Sequence, residues 1–171
     1  MGSGKSLFVK LLSKKLGYKA MDGGMIRREM AKEHNMSIEK FTVYSEKFPA
    51  LDRETDRRLI QIAKKGRVVM QSRVLPYLKE AQNIPGIFLM YLAANKQVRA
   101  QRIAKRENIS VAQALRNIDI RDESDIKRYA KVYGIDTKDR SVYDLVVNNS
   151  ELTPSETVKL VLHHLKQVSK L

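Results

Sequence analysis

The sequence has no cysteine, no long apolar run and no segment that resembles a secretory signal. Because none of its 171 residues is cysteine, the chain forms no disulfide bond and offers no thiolate to a metal ion. No apolar run comes near the roughly 20 residues that a membrane-spanning helix requires. The first residues do not read as a secretory signal, because Lys10, Lys14 and Lys15 interrupt the apolar segment. We therefore expect a cytoplasmic protein without a membrane partner.

Acidic residues are few beside the basic ones. The chain has 33 Lys+Arg against 19 Asp+Glu, a net charge of +14. Such an excess indicates an anionic partner, either nucleic acid or small molecules that carry phosphate. Aromatic residues make up only 6% of the chain, and no RRM, KH or zinc signature is present, which argues against RNA recognition. Small phosphorylated molecules are the favoured partners, and a basic RNA-binding protein without catalysis is the alternative.

Apolar runs separated by helical segments indicate an α/β fold. Four runs read as strands, namely YKAMD, RVVMQS, GIFLMYLAA and YDLVVNNS. YKAMD is a short strand that runs into a glycine turn, whereas the other three are apolar runs rather than alternating ones, which favours a parallel sheet covered by helices on both faces. Neither a repeat nor a linker interrupts the chain, so we expect a single domain over residues 1–171 and a monomer.

Helical segments are marked by their capping residues. Gly17 is expected to end the first helix, which covers Ser6 to Leu16, and Gly66 to end the helix over Leu51 to Lys65. The remaining predicted helices are MIRREMAKEHN after a glycine turn, SIEKFTVYSEK with Ser37 as N-cap, Val98 to Arg106, a helix from Val111 capped by Ser110, Arg121 to Tyr133, and a final helix with Thr153 as N-cap and Pro154 at its first position.

The opening GSGKS, Gly2 to Ser6, matches the end of a phosphate-binding loop. The full pattern G-x-x-x-x-G-K-[ST] follows a strand and opens a helix. In it, backbone N–H groups surround phosphate oxygens, the lysine contacts the outer phosphates, and the serine hydroxyl binds Mg²⁺. The first glycine and the preceding strand would lie before Met1. We expect a gene start assigned too late, so that the first strand is missing from this chain and an upstream extension is needed for activity; a cloning remnant and a degraded relative are the alternatives.

Beyond this loop the sequence resembles the cytidylate kinases, above all the short archaeal type, within the nucleoside monophosphate kinases. The resemblance runs in order from GSGKS through MDGGMIRREMAKEHNMS, LDRETDRRLIQIAKKGRVVMQSR, VRAQRIAKRENISVAQAL and YDLVVNNSELTPSETV. IRDESDIKRYAKVYGID is its most specific piece, and is similar to the arginine-rich element that closes over the substrate. The family implies a three-layer α/β/α P-loop NTPase fold with a parallel sheet, a monophosphate-binding region near residues 22–60 and a lid near residues 102–133.

The resemblance implies transfer of the ATP γ-phosphoryl group to CMP or dCMP with Mg²⁺. Guanidinium groups suit this chemistry because they bind phosphate oxygens bidentately. Arg121 and Arg128 lie seven residues apart, on one helical face, with Asp125 between them. The residues predicted to bind ATP are Gly2, Ser3, Gly4, Lys5, Ser6, Arg102 and Arg106. The residues predicted to bind CMP are Arg28, Arg73, Arg121, Asp125 and Arg128. The predicted catalytic residues are Lys5, Arg121 and Arg128, and Ser6 is the predicted Mg²⁺ ligand.

Several positions depart from the family pattern. Gly23 stands where a serine is common, Met25 where archaeal members often have Asp, Gln71 where a carboxylate is expected, and Ser72 where a glycine precedes the arginine. These changes bear on rate and on base specificity. The alternative enzymatic function is another small P-loop kinase that acts on AMP, a deoxynucleotide or shikimate.

Overall fold

A computed structural model describes residues 1–168 of the chain. Within them the chain forms two compact units, one of residues 12–87 and the other of residues 1–11 together with residues from 88 onward. The helices and strands, in chain order, are α1 (Lys5–Leu16), β1 (Lys19–Asp22), α2 (Gly23–Glu33), α3 (Ile38–Glu46), α4 (Pro49–Lys64), β2 (Val68–Gln71), a 3₁₀ turn (Leu75–Tyr77), α5 (Lys79–Gln82), β3 (Met90–Ala93), α6 (Lys96–Glu107), α7 (Val111–Tyr133), β4 (Leu145–Asn148) and α8 (Pro154–Gln167).

The unit of residues 12–87 is built on a parallel pair of strands. β1 pairs with β2, and Asp22 lies opposite Gln71 at the carboxyl ends of the two strands. A core of side chains from α2, α3 and α4 packs beside them; its fully buried members include Ile26, Met30, Phe41 and Leu59. Burial of such large apolar side chains stabilises each by about 1.5–3 kcal/mol.

The other unit holds the second parallel pair. β3 pairs with β4, and Ala93 lies opposite Asn148. Helices α6 and α7 pack against each other through Ala100, Ile103, Ala104, Ala114 and Ile118. Of the 23 residues of α7, only Ala114 and Ile118 are fully buried, and both lie in its first third.

The predicted capping residues form their expected bonds. Side-chain oxygens of Ser37, Ser110 and Thr153 accept hydrogen bonds from the third helical N–H that follows each. Glu156 completes a capping box with Thr153 by accepting from its backbone N–H. Gly17 and Gly134 directly follow α1 and α7 and adopt positive φ angles of +65° and +67°. Each of these helices therefore ends at a glycine in the left-handed conformation that is typical of a C-terminal cap.

Some boundaries differ from the sequence expectation. Gly23 and Gly24 form the first turn of α2 rather than a turn before it, because Asp22 caps the helix by accepting the N–H of Met25. The run GIFLMYLAA gives a strand of only four residues, and the short helix α5 was not predicted. The two predicted helices from Val111 and Arg121 form one continuous helix. Among residues 1–168, no helix is long and apolar enough to cross a membrane.

Candidate functional site

The GSGKS loop precedes α1 with two glycines in the left-handed region. Gly2 and Gly4 have φ angles of +79° and +82°, which residues with a Cβ rarely adopt. A Cβ on Gly2 would also lie 2.7 Å from the backbone oxygen of Arg99. The Nζ atom of Lys5 donates to the hydroxyl of Ser3 at 3.0 Å. The loop therefore has, at two positions directly before α1, a backbone conformation that favours glycine.

Asn149 joins this loop to the carboxyl end of β4. Its side-chain amide donates to the backbone oxygen of Ser3 at 2.9 Å, and both residues are buried. Arg102 donates to the side-chain oxygen of Asn149 at 3.1 Å and to its backbone oxygen at 2.8 Å. Arg102, predicted to bind ATP, is thus in contact with the residue that supports the loop, and its direct contact with ATP stays a prediction.

Charged pairs join α6 to α7. Arg99 donates to Asp122 at 3.0 Å, and Lys96 pairs with Asp119 at 2.6 Å. Arg106 is 62% exposed and pairs with its neighbour Glu107. Arg102 and Arg106, both predicted to bind ATP, therefore have different surroundings in the structure.

The predicted arginine–aspartate–arginine element lies on α7 as expected. Arg121 pairs with Asp125 at 3.5 Å. The guanidinium of Arg121 is 55% exposed and the carboxylate of Asp125 only 17% exposed, so the aspartate is the sheltered partner. Arg128 is half-buried one turn further along the same helix. One helix therefore carries all three residues predicted to bind CMP in this unit.

The other two predicted CMP ligands belong to the unit of residues 12–87. Arg28 lies in α2, the helix that directly follows β1, and Arg73 is the second residue after the end of β2. Because β1 and β2 are parallel, their carboxyl ends lie at the same edge of the pair. The segments that follow the two strands therefore begin at that edge. A Cβ on Gly24 would lie 3.3 Å from a terminal nitrogen of Arg28 and 3.0 Å from the carboxylate of Asp22. Gly24 thus leaves room for the Arg28 guanidinium beside the start of α2.

Ser72, the residue that replaces a family glycine, has a local structural role. Its hydroxyl accepts hydrogen bonds from the N–H groups of Val74 and Leu75, each at 3.2 Å. These bonds close the turn between β2 and the 3₁₀ turn. Arg73 lies within that turn and is half-buried. The Ser72 hydroxyl therefore holds the segment that carries the predicted arginine.

A buried ion pair that the sequence analysis did not single out joins three helices of this unit. Arg27 of α2 donates to Asp52 of α4 at 2.9 Å and to Ser45 of α3 at 2.6 Å. Its guanidinium also lies 5.6 Å from the centre of the Phe41 ring, within reach of a cation–π interaction. These contacts fix the position of α2, which carries Arg28.

A second network lies on the exposed side of α2 and α4. Arg58 donates to both oxygens of Glu33, at 2.7 and 2.8 Å, and to Glu54 at 2.8 Å. The hydrogen bond from Arg58 lowers the pKa of the Glu33 carboxyl below its ordinary value, and it has the same effect on the pKa of Glu54. Arg57 pairs with Glu54 as the helical spacing predicts.

Sequence reasoning missed Asn149, Arg99 and Arg27. Asn149 had one available signal, a polar residue directly after an apolar run predicted as a strand, at the edge where parallel sheets bind ligands. Arg99 and Arg27 resemble surface arginines of amphipathic helices, and only the fold shows their partners. Among residues 1–168, no group of three or more His, Asp or Glu side chains could hold a metal ion.

Comparison with known proteins places the chain among nucleotide kinases. A model described as the cytidylate kinase-like family matches residues 1–151. A protein named cytidylate kinase from Pyrococcus horikoshii is 41% identical over 170 residues, covering 98% of this chain and 86% of that protein. A cytidylate kinase from Methanocaldococcus jannaschii is 38% identical over 150 residues, which cover 88% of this chain and 84% of that protein.

The solved structures similar to this chain share its fold at low sequence identity, so they are evidence about the fold and not about the function. A crystal structure of an uncharacterized protein from Eubacterium ventriosum superposes with a TM-score of 0.68 at 14% identity, covering 96% of this chain and 92% of that one. A shikimate kinase from Acinetobacter baumannii superposes with a TM-score of 0.58 at 14% identity, covering 98% and 89%. The predicted α/β P-loop kinase fold with parallel strands is confirmed.

Proposed function

Because the chain belongs to the cytidylate kinase-like family, we propose that it transfers the γ-phosphoryl group of ATP to CMP or dCMP. In this reaction a phosphate oxygen of CMP forms a bond to the γ-phosphorus, and the bond from that phosphorus to the β,γ-bridging oxygen breaks. The products are CDP and ADP. The observation that carries the proposal is 41% identity to a cytidylate kinase over nearly the whole chain.

The GSGKS loop is the proposed binding site for the ATP phosphates. Positive φ angles at Gly2 and Gly4 allow consecutive N–H groups to converge on an anion. Lys5 stands at the first position of α1, where the positive end of the helix dipole adds to its charge. Lys5 would then bind the outer phosphates and stabilise the charge that moves to the leaving oxygen.

Mg²⁺ fits the donor set at the start of α1. Ser6 is exposed in the first turn of that helix and offers one hydroxyl oxygen. Mg²⁺ is commonly held by one or two protein oxygens together with substrate phosphates and water, so a single serine suits it. When bound, the ion neutralises charge on the phosphate oxygens.

Five side chains are proposed to bind CMP. Arg28 and Arg73 would hold the phosphate, since guanidinium groups form paired hydrogen bonds with phosphate oxygens. Arg121 and Arg128 would stabilise the charge of the transferred group. Asp125 is paired with Arg121 and can either orient the arginines or accept a hydrogen bond from the cytosine amino group or from a sugar hydroxyl.

The test is coupled ATP turnover with CMP, dCMP, UMP and AMP as acceptors. We expect turnover with CMP and dCMP, and little with AMP. Turnover with AMP in place of CMP would refute the proposed substrate, and salt-dependent RNA binding without any turnover would favour the non-catalytic alternative.

A matched pair of variants on α7 tests the proposed role of the arginines. Arg121→Met is expected to lower kcat/KM for CMP on the order of a hundredfold, or about 2.7 kcal/mol. Arg116→Met is the control, because Arg116 is an exposed arginine of the same helix that donates a hydrogen bond to the side chain of Gln113. Equal activity of the two variants would remove Arg121 from the proposed site.

A further inference from the structure

Asn149 is a buried polar residue that contacts the phosphate-binding loop, and both polar groups of its side chain form hydrogen bonds. Its amide nitrogen donates to the backbone oxygen of Ser3 at 2.9 Å, and its side-chain oxygen accepts from Arg102 at 3.1 Å. Its own N–H donates to the backbone oxygen of Ala93 at 2.9 Å. Asn149 is therefore fixed at the carboxyl end of β4 while its side chain reaches the loop.

Arg102 determines which way the Asn149 amide points. A guanidinium can only donate hydrogen bonds, so the atom of the Asn149 side chain that faces Arg102 must be the oxygen. The NH₂ group then faces the backbone oxygen of Ser3, which can only accept. In the reverse orientation, two donors would meet at Arg102 and two acceptors at Ser3. The second bond from Arg102, to the Asn149 backbone oxygen at 2.8 Å, holds the arginine in place.

The bond to Ser3 fixes the direction of the next N–H group in the loop. In a trans peptide the C=O of one residue and the N–H of the next point to opposite sides. When the Ser3 oxygen is held by Asn149, the N–H of Gly4 must point away from Asn149. That N–H is one of the groups through which a loop of this kind binds phosphate.

We propose that Asn149 is a positioning residue for the phosphate-binding loop, and that Arg102 acts on ATP binding through Asn149. The inference rests on the proposed ATP site and goes beyond it, because Asn149 belongs to neither set of predicted ligands. It assigns to Arg102 an indirect role in place of a contact with ATP. Loss of the Asn149 amide would leave the Ser3 peptide free to rotate and would weaken ATP binding, with no direct effect on CMP.

The test compares Asn149→Asp with Asn148→Asp. Asn149→Asp keeps the size and the bond to Arg102 but places an oxygen against the Ser3 oxygen, and we expect the Kd for MgATP to rise about tenfold. Asn148 is exposed, and its side-chain oxygen accepts from Ser150, a bond that an aspartate retains. Its amide nitrogen donates to the side-chain oxygen of Asn95 at 3.4 Å and not to the loop, so the bond that Asn148→Asp loses is one outside the loop. The control should therefore bind MgATP as the unchanged protein does. Asn149→Ala, which removes the donor without adding repulsion, is expected to give a smaller increase.

Kinetics and a double variant separate positioning from a general loss of structure. We expect Asn149→Asp to raise KM for ATP and leave KM for CMP unchanged, with the two variants unfolding at similar denaturant concentrations. If Arg102 acts through Asn149, then Arg102→Gln should add little in the Asn149→Asp background. Equal MgATP affinity of the Asn149 and Asn148 variants would overturn the inference, as would an additive effect of Arg102→Gln.

Failure of the proposed function can be distinguished from failure of the inference about Asn149. If the unchanged protein binds MgATP but phosphorylates neither CMP nor dCMP, the proposed function fails while the inference is still decided by the two variants. If the unchanged protein does not bind MgATP at all, the inference is overturned together with the proposed ATP site.

Discussion

Gly2 allows a sharp test of the loop conformation, because the chain contains a glycine of similar backbone geometry in open surroundings. Gly2 and Gly17 have φ angles of +79° and +65°. A Cβ on Gly2 would meet the backbone oxygen of Arg99 at 2.7 Å and its Cα at 3.0 Å, whereas a Cβ on Gly17 would meet no atom within 4 Å. Substitution by alanine therefore adds backbone strain at both positions and steric overlap only at Gly2.

The two contributions can be estimated separately. A left-handed conformation costs an alanine about 1–2 kcal/mol, and this cost applies to Gly2→Ala and Gly17→Ala alike. Overlap with backbone atoms, which cannot turn aside as a flexible side chain can, adds roughly 1–3 kcal/mol. The chain can relieve that overlap by moving the loop away from Arg99. The added cost would then appear as a loss of ATP affinity of about 5- to 150-fold.

The assay is titration with MgATP, together with denaturant unfolding of each variant. Gly17→Ala is expected to lower the free energy of unfolding by about 1–2 kcal/mol and to bind MgATP normally. Gly4→Ala is expected to give an intermediate loss of affinity, since Gly4 has a φ of +82° but its Cβ would lie 3.7 Å from the nearest atom. If Gly2→Ala binds MgATP as tightly as Gly17→Ala, the contact with Arg99 does not set the loop conformation and the reasoning is refuted.

Two further predictions concern the unit of residues 12–87. Gly24→Ala should displace the Arg28 guanidinium, because a nitrogen of that group lies 3.3 Å from the added Cβ. We expect this variant to raise KM for CMP several-fold in a steady-state assay. The control is Gly23→Ala, whose Cβ would meet a leucine methyl at 3.8 Å and which should have little effect on KM for CMP. Arg58→Met should destabilise the protein at neutral pH, and the difference should shrink as the pH falls below about 4.5, because the Glu33 pKa is lowered from 4.5 by its bond to Arg58.

The sign of the second prediction follows from the direction of the pKa shift. A carboxyl whose pKa is lowered by folding contributes stability above its unfolded pKa and loses that contribution as the pH falls through its folded pKa. Denaturant midpoints between pH 3 and 7 measure the effect, and Arg57→Met is the control, since Arg57 is 70% exposed. An Arg58→Met penalty that does not change with pH would contradict the assignment. For Gly24, an unchanged KM for CMP would contradict the predicted displacement of the Arg28 guanidinium.

Local sequence signals predicted the caps of the helices better than the limits of the strands. Ser110 and Thr153 accept the expected N–H bonds because their hydroxyls act within one turn, where only neighbouring residues matter. The run GIFLMYLAA forms a strand of four residues, since strand length depends on the partner strand, which lies far away in the sequence. Gly23 was expected in a turn, but the cap at Asp22 places it within α2.

The site was predictable as a set of residue types and less so as a set of contacts. Spacing alone placed Arg121, Asp125 and Arg128 on one face, and the structure confirms that they share one helix. The contact of Arg102 with Asn149, by contrast, joins positions 47 residues apart. No helical or strand periodicity relates such positions, so the sequence offered only the guess that Arg102 faces ATP.

The burial pattern of α7 has a consequence for how the chain opens. Its fully buried residues, Ala114 and Ile118, lie in the first third of the helix, and the turns that carry Arg121 and Arg128 contain none. Apolar packing sets the free energy needed to break a helix locally. Amide hydrogens near Arg128 should therefore exchange with solvent deuterium earlier than those near Ile118, along one unbroken helix. The arginines proposed to bind the substrate would then lie on the part of α7 that has the lower free energy of local unfolding. Nucleotide binding should therefore slow the exchange of amide hydrogens in that part of the helix.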